Sequence, residues 1–142
     1  YLEGINDPGN MGTILRSLDW FGYNNVYCST SCVDAFNNKT VMASMGSVFR
    51  VKSHTISLNE ICNKFSFNDI IGTTLDGENI YSFPFEKKSI IIIGNEANGI
   101  SLDTSNKVNT TISIPKNGYA ESLNVSIATS IILNEINRKT NF

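Results

Sequence analysis

Ser89-Ile90-Ile91-Ile92-Ile93-Gly94 is an apolar run without interruption, closed by a glycine. A strand with one wet face alternates apolar and polar residues, so a run that is apolar at every position must be covered on both faces, as in the centre of a parallel sheet. Asp69 to Leu75 (DIIGTTL) reads as a neighbouring strand, and Thr110 to Ile114 as another, stopped by Pro115. Upstream, Tyr-Leu-Glu-Gly is a short strand running into Asn6-Asp7-Pro8-Gly9-Asn10, a cluster of turn formers that should end it. A helix from about Met11 to Phe21 then places Met11, Ile14, Leu15, Leu18 and Phe21 on one stripe, with Arg16 opposite. A strand at Val26 to Cys28 follows, then a helical turn around Val41 to Met45, Gly46 leading into Val48 to Val51, and a helix over Leu58 to Phe65.

Strands alternating with helices predict an α/β fold, a mostly parallel sheet of about five or six strands with helices on both faces. The 142 residues make one domain, 1–142. At 41% hydrophobic and 17% charged the chain is neither disordered nor collagen-like. No apolar run approaches the roughly 20 residues of a membrane helix, so no membrane partner is expected. A formal charge of -2 signals no global field for a polyanion, but leaves room for a local basic groove. The three cysteines, Cys28, Cys32 and Cys62, are an odd set, which fits a reducing, cytoplasmic setting better than a disulfide framework. With His54 the only histidine, they read as ordinary thiols, and no metal is expected. There is no initiator Met and no signal peptide, and Tyr1-Leu2 reads as a strand already under way, so the chain is expected to be a piece of a longer one.

The last helix, Ser122 to Arg138, carries Leu123, Val125, Ile127, Ala128, Ile131, Ile132, Leu133 and Ile136 around most of its circumference. One sheet face cannot cover all of these, so a homodimer is expected, with Ile131 or Ile136 facing the partner.

Ligands of open α/β sheets bind at the carboxyl ends of the strands. Three such ends here are rich in Gly, Asn and acidic or hydroxyl side chains: Asn6 to Arg16, Gly94 to Ser101 and Pro115 to Asn124. Gly94-Asn95-Glu96-Ala97-Asn98-Gly99 has a carboxylate where a dinucleotide fingerprint needs its second glycine, and Ile114 where the ribose-binding acid would fall. Dinucleotide binding is therefore not expected, and no P-loop is present. In Asn10-Met11-Gly12-Thr13-Ile14-Leu15-Arg16, Gly12 permits close backbone approach, while Asn10 could serve as a helix cap and Arg16 as a solvated charge. Ser122 could cap the last helix, which would leave Asn124 in its first turn as a buried amide in need of a partner.

Taken together, Asn10 to Arg16, Gly94 to Gly99 with Glu96, and Ile114-Pro115 through Ser122-Leu123-Asn124 closely resemble the three motifs of the SpoU/TrmH branch of the SPOUT RNA methyltransferases. The resemblance covers nearly the whole chain. It implies S-adenosylmethionine as methyl donor, transfer to a ribose 2′-hydroxyl of tRNA or rRNA, a C-terminal trefoil knot and an obligate dimer. By position it assigns Asn10, Arg16, Glu96, Ser122 and Asn124 to catalysis or substrate positioning. It assigns Gly94, Ile114 and Leu123 to the cofactor, with Thr73, Leu75, Asn95 and Gly99 lining the same pocket. A side chain at Gly94 is expected to obstruct the cofactor with little effect on folding. Because a guanidinium keeps its proton, Arg16 is expected to anchor an RNA phosphate and stabilise the developing alkoxide, leaving the proton acceptor open. Met42 stands where the family often has a basic or polar residue, and Lys116 where Met is frequent. An N-terminal RNA-binding extension, carried by many members, is expected to be absent from this chain. A non-catalytic RNA-binding protein of the same fold and a base-methylating relative are the alternative readings.

Overall fold

The computed structural model describes residues 1–86 and 88–141, with the backbone alone at Asn141; Phe142, the end of the expected domain, lies outside the described residues. Five strands form: β1 (Asn25–Cys28), β2 (Lys52–Thr55), β3 (Asp69–Asn79), β4 (Ser89–Ile92) and β5 (Thr110–Ser113). β1 pairs with β2, β3 pairs with β4 and β5, and every pairing is parallel. Residues Tyr1 to Glu3 join the two groups, since Leu2 bridges both Cys28 and Ile93. The Leu2 N–H donates to the Tyr27 carbonyl at 2.8 Å and the Glu3 N–H to the Ile93 carbonyl at 2.8 Å. The spatial order is therefore β2, β1, the Tyr1–Glu3 segment, β4, β3, β5, the parallel sheet that the apolar run predicts.

The isoleucines of β4 show both faces covered. Ile90 and Ile92 pack with Leu58 and Ile61 of α3 (Leu58–Lys64). Ile91 and Ile93 belong to the opposite core, with Ile14 and Leu15 of α1 (Pro8–Trp20) and Ile132 and Leu133 of α5 (Val125–Asn141). Side chains on a strand alternate sides, so one run of four isoleucines supplies two cores.

α1 begins one turn earlier than the apolar stripe suggests. Asp7 caps it by accepting the Asn10 N–H at 2.7 Å, and Pro8 fits the first turn, where its missing N–H is no loss. α2 (Asn38–Ser44) crosses α1 at Gly12, where a Cβ would stand 2.6 Å from the Ala43 Cβ and 2.7 Å from the Thr40 carbonyl oxygen. The close approach that Gly12 permits is thus a helix packing. Val48 lies in a 3-10 turn, Ser47–Phe49, and the strand comes after it, at Lys52–Thr55. β2 is an edge strand with mostly exposed side chains, which is why its polar sequence gave no strand signal. α4 (Leu102–Ser105) is a single turn capped by Ser101. α5 starts three residues after Ser122, and Ser122 does not cap it.

Candidate active site

The chain leaves the Tyr1–Glu3 segment through α1 toward β1 on one side, whereas its other neighbour is β4. Neighbouring parallel strands whose connections diverge leave a crevice at their carboxyl ends. Asn10, at the start of α1, and Glu96, in the turn after β4, both stand at that crevice. The Asn10 amide donates to Glu96 Oε1 at 2.6 Å. The third segment reaches the same place: the Asn124 amide donates to Asn10 Oδ1 at 2.9 Å. One chain of side-chain hydrogen bonds thus connects Asn10 with two segments that lie 86 and 114 residues further along the sequence.

Asn10 is available for this because Asp7 caps α1 in its stead. Asn124 lies just before α5 and is exposed, contrary to the buried position expected for it. Its carbonyl oxygen accepts the N–H of Ser126 at 2.9 Å and of Ile127 at 3.4 Å, capping the helix, so both ends of the amide are used. Arg16 is exposed on the far side of α1 and has no ion pair among the described residues. Ser122 is exposed in the preceding loop without a hydrogen bond to the Asn124–Asn10–Glu96 chain. The structure brings together three of the five polar residues expected to act and leaves these two exposed to solvent.

The Gly94–Gly99 turn is rigid by construction. Asn95 and Gly99 exchange backbone hydrogen bonds at 2.8 and 2.9 Å. Asn95 Oδ1 accepts the Ala97 and Asn98 N–H groups, and its amide donates to the Gly4 carbonyl at 2.6 Å. These bonds engage both ends of the Asn95 side chain, so it serves to fix the turn. Gly94 is packed against the far side of the same turn: a Cβ there would lie 2.4 Å from the Gly99 carbonyl carbon and 2.6 Å from the Ile100 nitrogen. A substitution at Gly94 must therefore distort the turn, which corrects the expectation that folding would be spared. Glu3, which the sequence did not single out, holds the next residues. Its carboxylate accepts from the Ser101 N–H at 3.0 Å, Ser101 Oγ at 2.8 Å and Thr104 Oγ1 at 2.6 Å. A strand-end acid facing a Ser-x-x-Thr helix start was the available signal.

The ends of β3 and β5 and the loop before α5 expose apolar side chains. Leu75 is 75% exposed and Leu123 48% exposed, although both are leucines, and Ile114 is half-buried. Thr73 Oγ1 donates to the Ile92 carbonyl at 2.9 Å and ties β3 to β4, while the neighbouring Thr74 Oγ1 is buried without a partner. The register of β3 against β5 slips between Thr73 and Glu78, which pushes Leu75 outward. Exposed leucines at the ends of strands whose following loops carry glycines fit an adenosine, whose ring needs apolar cover and backbone partners. Among the described residues no cluster of three or more His, Cys, Asp or Glu is placed to hold a metal, and no helix is long and apolar enough to cross a membrane.

Comparison with known proteins agrees with this architecture. A 23S rRNA guanosine 2′-O-methyltransferase of Bacillus subtilis (strain 168) is 30% identical over 135 residues, covering 93% of this chain and 54% of that protein. A 23S rRNA uridine 2′-O-methyltransferase of Streptomyces viridochromogenes is 30% identical over 141 residues, covering 93% of this chain and 49% of that protein. The chain thus spans about half the length of the curated relatives it matches. Among solved structures, the SpoU methyltransferase AviRb of Streptomyces viridochromogenes in complex with AdoMet shares the fold at a TM-score of 0.89 and 29% identity, covering 97% of this chain and 58% of that one. The AdoMet-bound rRNA methyltransferase of Sinorhizobium meliloti does so at 0.89 and 30%, covering 98% and 55%. With the SpoU rRNA Methylase family model matching residues 1–134, the chain belongs to that family.

Proposed function

We propose that the chain binds S-adenosylmethionine at the loops following β3, β4 and β5 and, as a cytoplasmic homodimer, transfers a methyl group to a ribose 2′-hydroxyl of tRNA or rRNA. The observation that carries this reading is the Asn124–Asn10–Glu96 hydrogen-bond chain, which converges three motif segments on one crevice. The relatives named as rRNA 2′-O-methyltransferases and the AdoMet complexes of the same fold support it. In this reading residues 1–142 are the methyltransferase domain, and the Ile114–Asn124 loop belongs to a trefoil knot.

When bound, the cofactor supplies a methyl group on a sulfonium centre, open to in-line attack by oxygen. The backbone of Gly94, Ile114 and Leu123, with the side chains of Leu75 and Leu123, would hold the adenosine, and Thr73, Asn95 and Gly99 would keep those loops in place. Among the described residues, the backbone N–H groups of Lys116 to Leu123 make no hydrogen bond within the chain, so they remain free for a ligand. Asn10, Glu96 and Asn124 present amide and carboxylate groups at fixed spacing, suited to orienting a ribose hydroxyl. Arg16 and Ser122 complete the set from the solvent side, Arg16 as a phosphate anchor whose guanidinium stays charged. Calorimetric titration with S-adenosylmethionine tests the cofactor half of this reading. Binding saturated at micromolar to submillimolar ligand is expected, and no heat from folded protein at millimolar ligand would overturn it.

A further inference from the structure

Trp20, the single tryptophan of the chain, belongs neither to the core nor to the site above: it ends α1 with 84% of its surface exposed. Thr13, Arg16 and Trp20 fall within about 60° of one another around α1, and all three are exposed. The stripe they form starts beside Asn10 at the crevice and runs down the helix for about 15 Å. α2 flanks it on one side, at Gly12, and α5 on the other, where Ser17 Oγ and Ser130 Oγ lie 2.8 Å apart.

Charge and shape together select what can lie on this stripe. Arg16 has no ion pair among the described residues. Asp19, the one acid of α1, is answered by Arg50 at 2.6 Å and Ser47 Oγ at 2.7 Å, so the stripe is locally positive although the chain carries a net charge of -2. Apart from the indole the stripe is polar, whereas the core of a protein interface is apolar. The exposed Phe36 and Phe49 pack against each other, with ring centres 6.3 Å apart. Among the described residues no ring or cation packs on Trp20, which leaves the indole free to stack. A free aromatic face one helical turn from a free guanidinium suits single-stranded RNA, which offers a base to the ring and a phosphate to the cation.

We propose that Trp20 stacks an unpaired base of the substrate RNA, and that Arg16 holds the phosphate joining that nucleotide to the one whose ribose enters the crevice. The inference rests on the 2′-O-methyltransferase reading above and narrows its substrate. About 15 Å separate Asn10 from Trp20 along α1, so the stacked base belongs to a neighbour of the target nucleotide. Within a duplex both faces of each base are already covered, so the target lies in a loop, a bulge or a free end.

The test uses the full chain with an oligoadenylate of about ten nucleotides, single-stranded or paired with its complement. Anisotropy of labelled RNA measures binding, and fluorescence excited selectively at the indole reports Trp20 alone. The single strand should quench that emission as it binds, and the duplex should bind without quenching it. Trp20→Ala should weaken single-strand binding roughly tenfold at every salt concentration, and Trp20→Phe should recover most of the loss. Arg16→Ala should instead reduce the salt dependence by about one phosphate contact. With rRNA as methyl acceptor, Trp20→Ala should raise KM for RNA far more than it lowers kcat, the mark of lost ground-state binding. Single strand bound to saturation with the indole emission unchanged, or Trp20→Ala binding as tightly as the wild type, would overturn this inference and leave the functional reading standing. Indole emission that shifts to the blue with rising protein concentration before RNA is added would assign Trp20 to a contact with a second copy, and would overturn it as well. A wild type that binds S-adenosylmethionine but neither RNA would overturn the RNA half of the functional reading, and this inference with it.

Discussion

Asn10 stands between Asn124 and Glu96, accepting a hydrogen bond from the first at 2.9 Å and donating one to the second at 2.6 Å. An amide donates and accepts at one planar group, whereas aspartate would meet Glu96 with a second acceptor. Asn10→Asp should therefore leave the circular dichroism spectrum unchanged and lower methyl transfer roughly a hundredfold, the scale for a misplaced reacting group. Activity within a few-fold of the wild type would remove Asn10 from the site.

Gly94 makes the opposite kind of prediction, because its neighbours are backbone. A Cβ within 2.6 Å of Gly99 and Ile100 atoms cannot be absorbed by a side-chain rotation. Gly94→Ala should lower stability by about 1–3 kcal/mol, the usual range for overpacking, and weaken cofactor binding with it. Denaturant unfolding measures the first effect, and an unchanged midpoint would mean the turn is looser than described.

The dimer expectation moves to a different residue. Ile131 and Ile136 are both partly buried against the chain's own core, whereas Ile127 on the same helix is 51% exposed beside Leu123. Ile127→Asp should give a monomer by light scattering at micromolar concentration without loss of helix content. A native monomer, or a variant that still dimerises, would contradict the proposed interface.

Asp19 offers a pH test outside the site. Arg50 first, then Ser47, hydrogen-bond its carboxylate and hold its pKa below the usual range. A carboxylate with a depressed folded pKa adds stability above its unfolded value and loses it as pH falls through the folded one. Asp19→Asn should thus melt below the wild type at neutral pH, and the gap should close on acidification below the ordinary carboxylate range. A gap that persists in acid would mean Asp19 acts through packing alone.

Much of this fold is legible in the residues, because β4 announces a doubly covered sheet and the stripe of α1 names its buried face. The polar edge strand Lys52–Thr55 was not legible, since edge strands need no apolar side chains, and neither was the overshoot of β3 past Leu75, which depends on its pairing with β5. In the site, the residues of the motifs were readable but their division of labour was not. Asp7 and Asn124 are the helix caps, where the residue pattern had pointed to Asn10 and Ser122, because a cap is set by backbone direction as well as residue type. Glu3 and Asn95 act through contacts about ninety or more residues away, which no local pattern encodes.

Arg16 separates the RNA step from the cofactor step. It points away from the core of α1 and takes part in no bond that shapes the Gly94–Gly99 turn. Arg16→Ala should keep S-adenosylmethionine affinity and lose most methylation of RNA, and Arg16→Lys should recover little, since an ammonium cannot make a bidentate phosphate contact. Loss of cofactor binding in Arg16→Ala, or full turnover without it, would contradict the assignment.

The most direct measurement is nucleoside mass spectrometry of tRNA and rRNA incubated with the protein and S-adenosylmethionine carrying a labelled methyl group. The account predicts label on the ribose of one or a few nucleotides, released as 2′-O-methyl nucleosides and absent with Asn10→Asp. Label on a base would point to a base-methylating enzyme, and RNA bound without label to a non-catalytic relative; either result would contradict transfer to the 2′-hydroxyl.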